Sequence, residues 1–198
     1  PISVVTGDIV RYNITIANEG NLDGYATKIT DYIADGLELV SKDELVKLGI
    51  INQDAEYYGW TTEKSENGFT AVSTTYLADK KLNAYNKNTN AIDTKYVQIY
   101  CKVKSSNAGE LLKNVAEITG EKATNLSGKE VSDRDSTPGN IKFSDLSSTW
   151  KGNSGNKDIE KTNIKEKYSY PGKEDDDDFE TVKVQNFDMA LTKEITSI

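Results

Sequence analysis

Two groups of residues carry enough oxygen to hold a hard cation: Asp133 with Asp135, and the run Asp175, Asp176, Asp177 and Asp178. At i, i+2 of an extended chain Asp133 and Asp135 project to one side. Ser136, Asn140 and backbone carbonyls can complete a cage of the roughly six to eight oxygens that calcium takes. Four adjacent aspartates repel one another unless they are solvated or neutralised. An ion between the two acidic anchors would couple its binding to the ordering of the long stretch 144–169 that separates them. Alternatively the run is a solvated charge stretch with no fixed ion. The spacing matches no EF-hand loop.

Other chemistry is thinly represented. Histidine is absent, which removes the commonest general base, the usual zinc ligand and every His-dependent nucleophile. The single cysteine, Cys101, lies in Tyr96-Val-Gln-Ile-Tyr-Cys-Lys-Val103 on the side of Val97, Ile99 and Val103, as a buried core thiol would. Carboxylates abound, but no spacing singles out a glycosidase pair, so no enzyme is expected. With 32 acidic against 24 basic residues and a net charge of -8, the chain repels nucleic acid and anionic lipid. No apolar run approaches the ~18 residues that span a bilayer, so no membrane insertion is expected.

These residues must be positioned by strands. Val10, Tyr12, Ile14 and Ile16 alternate with Ile9, Arg11, Asn13 and Thr15, which is a half-buried strand. The Asn/Gly/Asp-rich stretch 18–24 then turns the chain into a second extended run over 25–33, giving a first strand pair. A short helix is predicted over 42–50, with Ser41 as N-cap and Gly49 as stop. Tyr57, Tyr58 and Trp60 form an aromatic knot suited to core packing. Between 61 and 90 the text is polar with apolar islands at 72–77 and 82–85. Strands follow over 95–104 and 111–119, where Asn114 shares a side with Leu112, Ala116 and Ile118. A hairpin-like loop at 121–130, a long surface loop at 144–169 and a final strand through Val182 and Val184 complete the chain. With no long helical pattern, the class is all-β, a mainly antiparallel sandwich with long loops and at most short helices.

Thr6-Gly-Asp-Ile-Val-Arg-Tyr-Asn-Ile-Thr-Ile-Ala-Asn-Glu-Gly-Asn, Ile29-Thr-Asp-Tyr-Ile-Ala-Asp-Gly-Leu-Glu-Leu-Val40 and Asn114-Val-Ala-Glu-Ile-Thr119 resemble the conserved-repeat, immunoglobulin-like domains of Gram-positive cell-surface proteins. Ala34 stands where that family often has Pro. Asp133-Arg-Asp-Ser-Thr-Pro138, the acidic run and Phe187-Asp-Met-Ala-Leu-Thr-Lys193 resemble a clostridial-type version. The resemblance implies an immunoglobulin-like surface repeat over 1–186, with 187–198 as an exit strand or the start of the next repeat. A chain opening on Pro1 and closing on such a segment fits an excised piece of a longer protein.

Related fimbrial domains form a spontaneous Lys–Asn isopeptide crosslink beside an acid in an apolar core. Asn114 and Asp31 resemble the amide and acid partners. The family's lysine lies in a strand before the Gly-Asp, and none precedes Gly7 here. Lys193 sits in the matching strand of the presumed next repeat and would serve that repeat or a swapped neighbour; Lys28 falls on the polar side of its strand. Alternatively Asn114 is a hydrogen-bonded structural residue.

The resemblance implies an extracellular, wall-attached setting. There the chain would be a structural or adhesive unit that spaces or presents a binding head, stiffened by calcium. Its partners would be neighbouring repeats, with strand exchange through 187–198. The alternative is an adhesin module that binds a carbohydrate or host protein through Tyr57, Tyr58 and Trp60 or the loop 144–169.

Overall fold

The computed structural model describes residues 1–86, 88–89, 91–134, 136–152 and 175–194. Ten strands and one short helix follow in the order β1 (Ile2–Val4), β2 (Ile9–Asn18), β3 (Gly24–Ala34), β4 (Leu37–Leu39), α1 (Lys42–Lys47), β5 (Thr61–Glu66), β6 (Phe69–Thr74), β7 (Asp93–Val103), β8 (Leu111–Thr124), β9 (Glu130–Val131) and β10 (Asp177–Val184). They form a sandwich of two sheets. The larger runs β1-β10-β8-β3-β6-β5 with β9 attached to β8, and the smaller runs β2-β7-β4. All pairings are antiparallel except β1 on β10.

The expected first strand pair does not exist as a pair. β2 pairs with β7, from Ile9 opposite Lys102 to Asn18 opposite Asp93. β3 lies in the other sheet between β6 and β8. The link between β2 and β3 is too long for a tight two-residue hairpin. Asn18 closes it by donating to the Leu22 carbonyl and accepting from Gly20 N, while Gly24 exchanges backbone bonds with Leu82. The chain thus crosses between sheets, and each strand turns its apolar side toward the other.

The core between the sheets contains Tyr12 and Ile16 of β2, Val97, Ile99, Cys101 and Val103 of β7, and Ile29 and Ile33 of β3. Cys101 is fully buried, as its place in the alternating run predicts. Gly36 turns β3 into β4 at φ +95°, and a Cβ there would meet Leu112 Cδ2 at 2.8 Å, so only glycine fits without displacement. In α1, the Ser41 hydroxyl accepts from Glu44 N at 3.3 Å and Leu45 is buried beneath; Gly49, at φ 70°, follows the helix end.

A second core covers the opposite face of the larger sheet. Tyr32, Ala34, Phe69, Ala71 and Val115 pack there against Ile141 and Leu146, with Phe143, Trp150 and Phe179 at the margin. The surface loop expected from 144 onward is therefore, over 144–152, part of an apolar cap; 153–169 lie outside the described residues. The hairpin-like loop is shorter than expected, because β8 continues to Thr124. Asp177 and Asp178 are not loop residues but the start of β10, and Asp176 and Asp177 are buried. Pairing with Glu117 and Ala116 of β8 draws them into the sheet.

Candidate functional site

Asp31 and Asn114 occupy neighbouring strands at the centre of the larger sheet. The register places Asp31 opposite Ala116 and Ile33 opposite Asn114, so the two polar residues are diagonal neighbours on the inward face. There the Asn114 Nδ2 amide donates to Asp31 Oδ1 at 2.5 Å. Asp31 is 0% exposed and Asn114 4%.

Burial pushes the Asp31 carboxyl up to about 8, against the opposing pull of the Asn114 amide, so it is largely protonated at neutral pH. Its second oxygen, Oδ2, has no hydrogen-bond partner among the described residues, and neither has the buried Tyr12 hydroxyl of the facing sheet. Burial, then the Cys101 and Asp31 charges, raise Tyr12 far above the usual tyrosine range; burial and then Asp31 raise Cys101. Chemically this is an acid that can carry a proton beside an amide it can polarise, in a buried pocket with spare hydrogen-bonding capacity among the described residues.

The candidate lysines stand apart from the pair. Lys28 bridges Glu63 at 2.6 Å. Lys113 adjoins Asn114 in sequence but points to the opposite face, where Nζ donates to the Trp150 carbonyl and lies 4.1 Å from the centre of the Phe179 ring. Lys193 sits on the exposed exit segment.

The acidic residues come together in part. The Ser136 hydroxyl donates to Asp175 Oδ1 at 3.2 Å and accepts from Asp175 N at 3.1 Å, so the two acidic segments touch. Asp133 N donates to Glu121 Oε1 at 2.6 Å, Asp178 Oδ1 accepts from Phe179 N, and the Asp176 carbonyl accepts from Ile118 N. Asn140 is half-buried, and Asp135 lies outside the described residues. Among the described residues no three or more His, Cys, Asp or Glu side chains are grouped to hold a metal ion.

The aromatic knot is packing. Tyr58 and Trp60 are buried in the main core, the Trp60 indole donates to the Gln98 carbonyl at 2.7 Å, and the Tyr57 hydroxyl donates to the Val40 carbonyl. Tyr58 and Trp60 are thus buried and Tyr57 half-buried.

Glu117 and Lys113 are buried polar groups that the sequence pattern does not reveal. Glu117 lies under the cap, where it accepts from the Tyr32 hydroxyl at 2.9 Å and from Ile141 N at 3.1 Å. Burial raises its carboxyl, against the pull of these donors. Its outward position in β8 reads as ordinary solvent exposure, and only the remote cap 136–152 reverses that.

No family model and no curated protein matches the chain. Among solved structures it is similar to the seventh ScaB type I cohesin from Pseudobacteroides cellulosolvens, at 14% identity and a TM-score of 0.39, covering 98% of this chain and 94% of that one. It is also similar to a chain of the Coh-OlpA–Doc918 cohesin–dockerin complex from Clostridium thermocellum, at 13% identity and 0.33, covering 66% and 86%. A third is CaCohA2 from Clostridium acetobutylicum, at 14% and 0.31, covering 65% and 77%. TM-scores this low carry no argument about function, and the sandwich assignment rests on the chain's own strand pairing. Among the described residues no helix is long and apolar enough to cross a membrane.

Proposed function

We propose that the chain is a non-enzymatic structural repeat, immunoglobulin-like, of a Gram-positive cell-surface protein, acting as a stalk or presentation module in series with neighbouring repeats. The observation that carries this is the buried Asp31–Asn114 pair. Two residues 83 apart in sequence meet inside the sandwich, and one acid oxygen there has no partner among the described residues. In an ordinary core such a pair costs stability, because a polar atom is desolvated without compensation. It becomes useful as the acid–amide half of a crosslink.

The lysine is that of a neighbouring copy's exit segment, Lys193. The neutral amine attacks Asn114 Cγ, Asp31 carries the proton, and the Cγ–Nδ2 bond breaks to release ammonia and leave an amide between the two copies. The protein does not turn over; its work is resistance to force. Calcium held between the Asp133, Asp135 and Asn140 segment and Asp175 to Asp178 stiffens one end, a role supported by the Ser136–Asp175 contact. An adhesin role, in glycan or host-protein binding, loses Tyr58 and Trp60 as carriers because both are buried.

Single-molecule pulling on a tandem of two copies tests the proposal. The stretch between Lys193 of one copy and Asn114 of the next is withheld from extension. Release of the full contour length at low force contradicts the proposal.

A further inference from the structure

The two sheets are unequal, and the smaller one ends on an unprotected strand. Among the described residues β2 pairs with β7 alone, which leaves the backbone donors and acceptors of its far edge without a strand partner among them, along a strand of 10 residues. The other edges are blunted: β1 and β4 are 3 residues each, and β5 reads Thr-Thr-Glu-Lys-Ser-Glu with every residue exposed. β2 has no proline and a single charge, Arg11, which is little protection for an edge of that length. Its inward residues Val10 and Ile14 are only half-buried. Across the gap, Glu180 of β10 is exposed although its register partner Asn114 is buried. Among the described residues the smaller sheet lacks cover at its β2 side.

The chain also carries an alternating segment that belongs to no sheet among the described residues. After Gln185 N bonds to the Val4 carbonyl, residues 187–194 make no hydrogen bond among the described residues. Phe187, Met189 and Leu191 alternate there and are 87%, 77% and 92% exposed. We infer that the exit segment 187–194 of one copy adds to the free edge of β2 in a second copy, extending the smaller sheet by one strand. The inference rests on the repeat reading for the supply of further copies.

Three features fit this occupant to this edge. Extended, the segment spans about 26 Å, within the length of β2. Period two puts Phe187, Met189, Leu191 and Lys193 on one face, so the parity that turns the apolar comb into the sandwich turns Lys193 inward as well. The opposite parity carries Asp188 and Glu194, opposite in charge to Arg11, the one charged residue on the outward side of β2. Because edge and comb are different surfaces, the contact is head-to-tail, and it propagates rather than stopping at a symmetric dimer.

Sedimentation equilibrium of the full chain from micromolar to millimolar concentration, paired with amide hydrogen exchange, tests the inference. Association beyond a dimer is expected, with β2 amides exchanging at least tenfold more slowly in the associated state. Leu191→Asp, at an exposed position that does not contribute to the fold of its own copy, abolishes both effects. A monomer at millimolar concentration, a segment 187–194 protected within its own copy, association unchanged in Leu191→Asp, or protection at β1 or β5 instead of β2 each overturns the inference. The tandem pulling result is independent of these outcomes, because a covalently joined pair tests the crosslink without requiring association in solution.

Discussion

Asn114 donates to Asp31 at 2.5 Å on the inward face of the larger sheet, and the acid's other oxygen has no partner among the described residues. Burial, against the pull of that amide, makes Asp31 fold as a neutral acid. Its carboxyl titrates near 3.8 when unfolded and near 8 when folded. Between those values the unfolded state gives up a proton that the folded state keeps. The contribution of Asp31 to stability is thus fully present below 3.8, falls by about 1.4 kcal/mol per pH unit as pH rises, and is gone above 8. Asp31→Asn keeps the shape and removes the titration. Urea denaturation of the two proteins across this interval is expected to show the variant gaining on the parent as pH rises; parallel curves would place Asp31 in contact with water or with a cation.

The cap over the larger sheet hangs on a second buried acid. Tyr32→Phe removes the hydroxyl that donates to Glu117 and leaves that carboxylate short of a partner. A loss of about 1–3 kcal/mol is expected. Because the hydroxyl stabilises the ionised form, the loss grows with rising pH. Urea titration with Trp150 fluorescence reads both, since Trp150 lies at the margin of the same cap; an unchanged midpoint would show that the cap is held by apolar contact alone.

Calcium is expected to raise the melting temperature in millimolar excess over that in chelator, and Ser136→Ala to reduce the difference by separating the acidic segments. Coincident melting curves in calcium and chelator would remove the ion from the account.

What the sequence made legible was whatever depends on period two. The alternation in β2, in β7 around Cys101 and in β8 around Asn114 placed each inward residue, and Asn114 stood out as an amide among apolar neighbours. Pairing was less legible, because alternation assigns a face but not a partner: β2 and β3 look like a hairpin and occupy opposite sheets. Glu117 and Lys113 were unreadable because their burial depends on a cap arriving from residues 136–152. The burial of Asp176 and Asp177 in the acidic run was unreadable for a related reason. Asp177 joins a strand through its partner Glu117, and nothing near Asp177 in sequence signals that.

Intact-mass measurement on a covalent tandem of two copies tests the central claim most directly. The crosslink account expects the mass to fall short of the calculated value by one ammonia, with the full mass restored by Asn114→Ala in the second copy and by Lys193→Arg in the first. A tandem of full calculated mass, folded and uncleaved, would contradict the claim and leave Asn114 as a structural partner of Asp31.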